Sequence, residues 1–167
     1  VTGRLCELLL SDFSGEYFEK IRKGEPAGEV LPELERVDRL LVVVDGAAMA
    51  DSAQRGLAAS SARRIVDQIR TSGETHPTMR VAIVLTKSDC VTDGLRGKWA
   101  AIRADLLTRA QRLDASAEVF ETAARPSDGA EPVGLDALIE FIANEPSKQP
   151  AVVLDPVLPS RTIGQFK

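Results

Sequence analysis

The sequence predicts an α/β fold, with a mostly parallel sheet and flanking helices, from three observations. Uninterrupted apolar and β-branched runs recur at residues 40–44 (LLVVV) and 81–85 (VAIVL), the pattern of strands buried on both faces. Stretches with apolar residues at helical spacing lie between and after these runs. The runs also end in short polar or small-residue segments, and ligands of open α/β sheets bind beyond the carboxyl ends of their strands.

The elements follow in order. Residues 4–11 (RLCELLLS) read as a first strand and residues 15–22 as an irregular helix. A breaker-rich loop covers 23–29, and a short helix over 30–36 begins near Pro32. Residues 38–45 (DRLLVVVD) are the clearest strand. A long helix spans 52–70, with Leu57, Ile65, Val66 and Ile69 on one stripe, and Ser72-Gly73 end it. Arg63, Arg64 and Arg70, like Arg36 and Arg39, read as solvated. Behind the strand at 81–85, residues 97–113 form a helix with Trp99, Ile102, Leu106, Leu107 and Ala110 on one side, Trp99 anchoring it to the sheet. Residues 117–121 (AEVFE) are a short strand, and 134–144 a last helix through Leu135, Leu138, Ile139 and Ile142. Residues 1–147 then form one domain, and 148–167, proline-containing and aperiodic, an extended tail or linker.

Composition excludes several classes. A chain of 167 residues with 44% hydrophobic content buries one core. A net charge of −4 lacks the basic footprint of a nucleic-acid binder, so no nucleic-acid partner is expected. Cys6 and Cys90 form no metal or disulfide pattern, which places the chain in the cytoplasm. No apolar run approaches the roughly 18 residues of a membrane span. His76, the one histidine, precedes Pro77 in a loop without a catalytic partner motif and reads as a surface residue.

Three segments carry chemistry. Thr86-Lys87-Ser88-Asp89 stands directly behind the strand at 81–85. There, a carboxylate can accept hydrogen bonds from the N1–H and exocyclic amine of guanine, with the lysine stem along the base. Taken alone, four polar residues after a strand are equally a loop. Asp12-Phe13-Ser14-Gly15-Glu16 follows the first strand. Its Asp-x-x-Gly suits a γ-phosphate sensor, the carboxylate holding a water on Mg²⁺ and the glycine letting a bare N–H approach phosphate; as a lone motif it is also a common turn. Thr122-Ala123-Ala124 follows the short strand, and small residues there let backbone close over a base edge. The order and spacing of the three are more informative than any one of them.

On these residues the chain resembles the carboxyl-terminal two-thirds of a Ras-like (translation-factor-related) GTPase domain of the P-loop NTPase superfamily. Asp12 and Gly15 match the Asp-x-x-Gly of switch II. Thr86, Lys87 and Asp89 match the [Asn/Thr]-Lys-x-Asp guanine motif, and Thr122, Ala123 and Ala124 the Ser-Ala-Lys loop. The SDFSGE string is also similar to GTPase-like domains of bacterial multi-domain and conflict-system proteins, and the Ala/Arg/Asp/Gly/Val bias fits a bacterial source. The resemblance implies binding of GTP or GDP with Mg²⁺, Asp12 serving the metal, Gly15 the phosphate, and Thr86, Lys87, Asp89, Thr122, Ala123 and Ala124 the base. Glu16 takes the catalytic position, where Ras-like enzymes commonly carry Gln; an anion there repels γ-phosphate and puts hydrolysis in doubt.

The departures shape the expectation. No Gly-x-x-x-x-Gly-Lys-[Ser/Thr] occurs, and Gly94-Leu95-Arg96-Gly97-Lys98-Trp99 has the wrong spacing and place. The chain starts with Val1 and reads as a fragment whose phosphate-binding half lies upstream or in a partner protein, inactive by itself. Without the phosphate-loop strand, the strands at 4–11 and 38–45 leave open edges, which upstream sequence fills or which pair with each other. Two other readings stand beside the switch domain. One is a pseudo-GTPase scaffold for protein interaction without nucleotide. The other is a von Willebrand A-type metal site at Asp12-x-Ser14-x-Glu16, which needs Ser where Glu16 stands and leaves the Thr-Lys-Ser-Asp tetrad unexplained.

Overall fold

The computed structural model describes residues 37–72, 78–126 and 129–144, together with positions 16, 19, 20, 23–25, 34 and 36. The expected first strand, Asp12, Gly15, Cys6, His76 and the segment 148–167 lie outside the described residues.

Strands β1 (Arg39–Asp45), β2 (Arg80–Thr86) and β3 (Glu118–Glu121) form a parallel sheet in the order β1-β2-β3. The register sets Arg39 opposite Arg80 and Asp45 opposite Thr86. Helices alternate with the strands: α1 (Gly46–Ala50) and α2 (Arg55–Ser72) follow β1, α3 (Arg96–Ala110) follows β2, and α4 (Leu135–Ala143) follows β3. This is the α/β architecture expected, because parallel neighbours need a crossover and a helix is its usual form.

Side chains alternate across the sheet. Val42, Val44, Val81, Ile83 and Leu85 face α2 and α3 and join Ala59, Ala62, Val66, Trp99, Leu106 and Ala110 in one core. The opposite face carries Ala82, Val84 and Phe120. Phe141 of α4 packs there, its ring 5.4 Å from that of Phe120 and tilted 56°. Val43 lies on the same face towards β1 and is 63% exposed.

Several expectations need correction. The helix predicted over 52–70 is α2, which begins three residues later at Arg55 and runs to Ser72, and a separate short helix, α1, was not expected immediately after β1. Asp45 caps α1, its side chain accepting from the Ala47 N–H at 2.8 Å. The break falls at Asp51, which accepts from the Ala53 N–H and the Gln54 amide, both at 2.8 Å. Arg55 donates to the Met49 and Ala50 carbonyls at 2.7 and 2.8 Å, satisfying the end of α1. Leu57 and Ile139 point outward, at 61% and 60% exposure, while Ala59, Ala62 and Phe141 take the inner positions. Small alanines let α2 lie close to the sheet, so the largest apolar residue of its first turn is not the one buried.

Arg36, Arg64 and Arg70 are exposed as expected, but Arg63 and Arg39 are partly buried. Arg63 bonds Asp105 across the α2–α3 interface, and Arg109 bonds both Asp105 and Asp67 there. Arg39 is half-buried. Its guanidinium lies 5.5 Å from the centre of the Phe141 ring and donates to the Phe141 carbonyl at 3.2 Å and to that of Asn144. Trp99 is buried as the anchor of α3, which removes it as a base-stacking surface.

Candidate functional site

The three strands end together, and their carboxyl ends carry the site. The β2 strand finishes at Thr86, whose hydroxyl donates to the Val44 carbonyl at 3.3 Å, tying the tetrad to β1. Lys87 then adopts the left-handed conformation, φ 51° and ψ 42°, the one positive φ at a non-glycine position among the described residues. Such a conformation costs an L-residue with a Cβ about 1–2 kcal/mol. Strain of this kind persists where the surroundings enforce it and concentrates at ligand sites.

The left-handed step turns the chain into a 3₁₀ turn, Ser88–Cys90, in which Asp89 is exposed. The Cys90 N–H donates to the Lys87 carbonyl at 3.0 Å and the Val91 N–H to that of Ser88 at 3.1 Å. The Lys87 ammonium donates to Asp45 Oδ2 at 2.9 Å. This contact pulls the Asp45 carboxyl below its ordinary range, helped by the Ala47 N–H and opposed by partial burial. It correspondingly raises Lys87, first through the hydrogen bond and then through the carboxylate's charge.

The small-residue loop is stitched to the tetrad. The Thr122 N–H donates to the Leu85 carbonyl at 2.8 Å, and the Ser88 N–H to the Thr122 carbonyl at 3.0 Å. Thr122 and Ala123 are buried and Ala124 is exposed. Ala123 exchanges two backbone bonds with Val133, each 3.0 Å, as an isolated antiparallel bridge. Its N–H is therefore committed within the protein, and the next amide along is that of Ala124.

Two glycines allow this closeness. A Cβ on Gly46 would stand 2.1 Å from the Thr86 carbonyl oxygen, and one on Gly134, at φ +72°, would stand 2.1 Å from that of Glu121.

Thr86, Lys87, Asp89, Thr122, Ala123 and Ala124 are thus gathered at one sheet edge. Glu16 is exposed on helical backbone, and Asp12 and Gly15 lie outside the described residues. The described residues hold no group of three or more His, Cys, Asp or Glu side chains suited to a metal, and none of their helices is long and apolar enough to cross a membrane. Asp45 and Gly46 stand against the tetrad without belonging to any of the three motifs. An acidic residue at a strand end followed by an alanine-rich run is an N-cap pattern.

A parallel α/β sheet with a Thr-Lys-x-Asp loop locked to a small-residue loop at its carboxyl edge defines a GTPase-like domain. A family model, Double-GTPase 2, matches residues 1–143, and the chain belongs to that family. No curated protein and no solved structure matches the chain.

Proposed function

We propose that this chain is the base-reading and switch portion of a guanine-nucleotide-binding domain of Ras-like type. The observation that carries the reading is Lys87: a strained, left-handed lysine opening a Thr-Lys-x-Asp loop that is hydrogen-bonded to Thr122. In this reading Asp89 accepts from the N1–H and amine of guanine, and the Lys87 stem lies along the base. Thr86 fastens the loop to β1. Thr122 and Ala123 form the floor, and Ala124 supplies the free backbone amide, because that of Ala123 is taken by Val133. Asp12 would hold Mg²⁺ through water and Gly15 would approach the γ-phosphate. The metal would neutralise phosphate charge. Glu16 occupies the position from which a water would be oriented, and its charge favours slow hydrolysis.

The domain proposed is 1–147, with 148–167 as a linker, acting in a bacterial cytoplasm. The phosphate-binding loop comes from sequence outside 1–167 or from a partner.

The test is titration of N-methylanthraniloyl-GDP with Mg²⁺ against this chain and against the longer polypeptide that contains it. Asp89→Asn is expected to weaken guanine binding by roughly 10- to 100-fold, the range for losing charge-assisted hydrogen bonds, and to shift preference towards xanthine. Absence of binding by both proteins overturns this reading in favour of a scaffold without nucleotide.

A further inference from the structure

We propose that Asp45 is a positioning residue for nucleotide binding: its carboxylate holds the Lys87 side chain in the posture the base requires. The inference rests on the guanine-site reading above and adds to it a residue from a different strand, 42 positions away in sequence.

Asp45 is the last residue of β1 and the register partner of Thr86, so it stands one strand over from the tetrad at the same level. Its two oxygens have separate tasks. Oδ1 accepts from the Ala47 N–H at 2.8 Å, which fixes the side chain against the start of α1. Oδ2 is thereby presented to the Lys87 ammonium at 2.9 Å. A lysine stem has four rotatable bonds, and ordering them on binding costs entropy. Here both ends of the stem are held before any ligand arrives, the backbone by its left-handed turn and the ammonium by Asp45. The pair also remains accessible, with 57% of the Lys87 side chain and 47% of the Asp45 side chain exposed, so it does not serve core packing. The low carboxyl and raised ammonium keep both groups charged throughout the neutral range.

The competing explanation is that Asp45 only caps α1. Asp45→Asn separates the two, because asparagine is an equally good N-cap but carries no charge for Lys87. In the longer nucleotide-binding polypeptide, Asp45→Asn is expected to weaken N-methylanthraniloyl-GDP binding about two- to fivefold, the range of an exposed ion pair. The same substitution in a Lys87→Met background should have no further effect. A purely capping role would give no loss in either background, because asparagine caps equally well, and a latch that nucleotide must open would give tighter binding by Asp45→Asn; either result overturns the inference. A readout without nucleotide accompanies this. By carboxyl NMR, Lys87→Met should raise the Asp45 titration midpoint, and an unmoved midpoint also overturns the inference. Failure of the unsubstituted polypeptide to bind would remove the guanine reading itself. Binding without coupling between the two sites would remove only the role of Asp45.

Discussion

Gly46 lies against the carbonyl of Thr86 so closely that a Cβ on it would stand 2.1 Å from that oxygen and 2.9 Å from the Lys87 carbonyl. The start of α1 is therefore a wall against which the tetrad loop is seated, and Trp99 closes the other side, 3.1 Å from the same Cβ position. Gly46→Ala should destabilise the fold by about 1–3 kcal/mol, as overpacking does, because two backbone carbonyls have nowhere to move. Gly56→Ala in the first turn of α2 meets no atom within 4 Å and should instead stabilise by a few tenths of a kcal/mol. Urea denaturation of the two variants checks the opposite signs.

Lys87 offers a trade between stability and binding. Lys87→Gly removes a left-handed residue that costs about 1–2 kcal/mol, and forfeits only an exposed ion pair that solvent screens. The expected result is a melting temperature equal to or slightly above that of the unsubstituted chain, with weaker guanine-nucleotide binding. A clearly lower melting temperature would show that the left-handed turn is not strained.

The Asp45–Lys87 pair gives a pH dependence with two limits. The Asp45 carboxyl is depressed from 3.8, so its contribution is present above that value and fades as pH falls through the lower folded-state value. Lys87 is raised from 10.5, so its contribution is complete below that value and fades as pH rises through the higher folded-state value. The stability difference between the unsubstituted chain and Asp45→Asn should therefore be flat from about pH 5 to 9 and shrink towards either extreme. Its size should also fall in high salt, since both groups face solvent.

Asp114 is the acid on which the amino-terminal end of the sheet depends. Burial alone would raise its carboxyl, but hydrogen bonds from Ser116 and from the Val81 N–H, with the charge of Arg80 beside it, bring it below the ordinary range. Asp114→Ala leaves the Val81 N–H, 3.0 Å from the lost oxygen, without its acceptor and removes the 3.2 Å bond from Arg80 Nε, while Arg80 Nη2 keeps the Ser116 carbonyl and Glu118. Thermal unfolding should show a loss of about 1–3 kcal/mol. That loss should diminish as pH falls through the depressed carboxyl value, where the native carboxylate is itself protonated.

β1 and β2 were legible because their uninterrupted β-branched runs suit strands rather than helices, although only β2 is buried on both faces and Val43 of β1 is exposed. The tetrad was legible for a related reason: polar residues break abruptly from such a run at the edge where ligands bind. What was hidden depends on geometry between distant segments. Asp45 and Lys87 meet only because the parallel register levels the ends of β1 and β2. The commitment of the Ala123 amide appears only once the chain turns back to bring Val133 alongside. Short α1 was missed because five residues carry less than two turns of periodicity. Arg39 looked like a surface charge because its acceptors are main-chain carbonyls at the end of α4, which side-chain patterning does not reveal.

The grip of Arg39 on the last carbonyls of α4 fixes where that helix ends relative to the sheet. Arg39 opens β1, so Asn144 is held at the opposite end of the sheet from Lys87 and Asp89, roughly 20 Å away along a seven-residue strand. A fluorophore placed at residue 144 would therefore stand clear of bound nucleotide while remaining within energy-transfer range of one on the base. Nucleotide arrival could then be followed optically without touching the site.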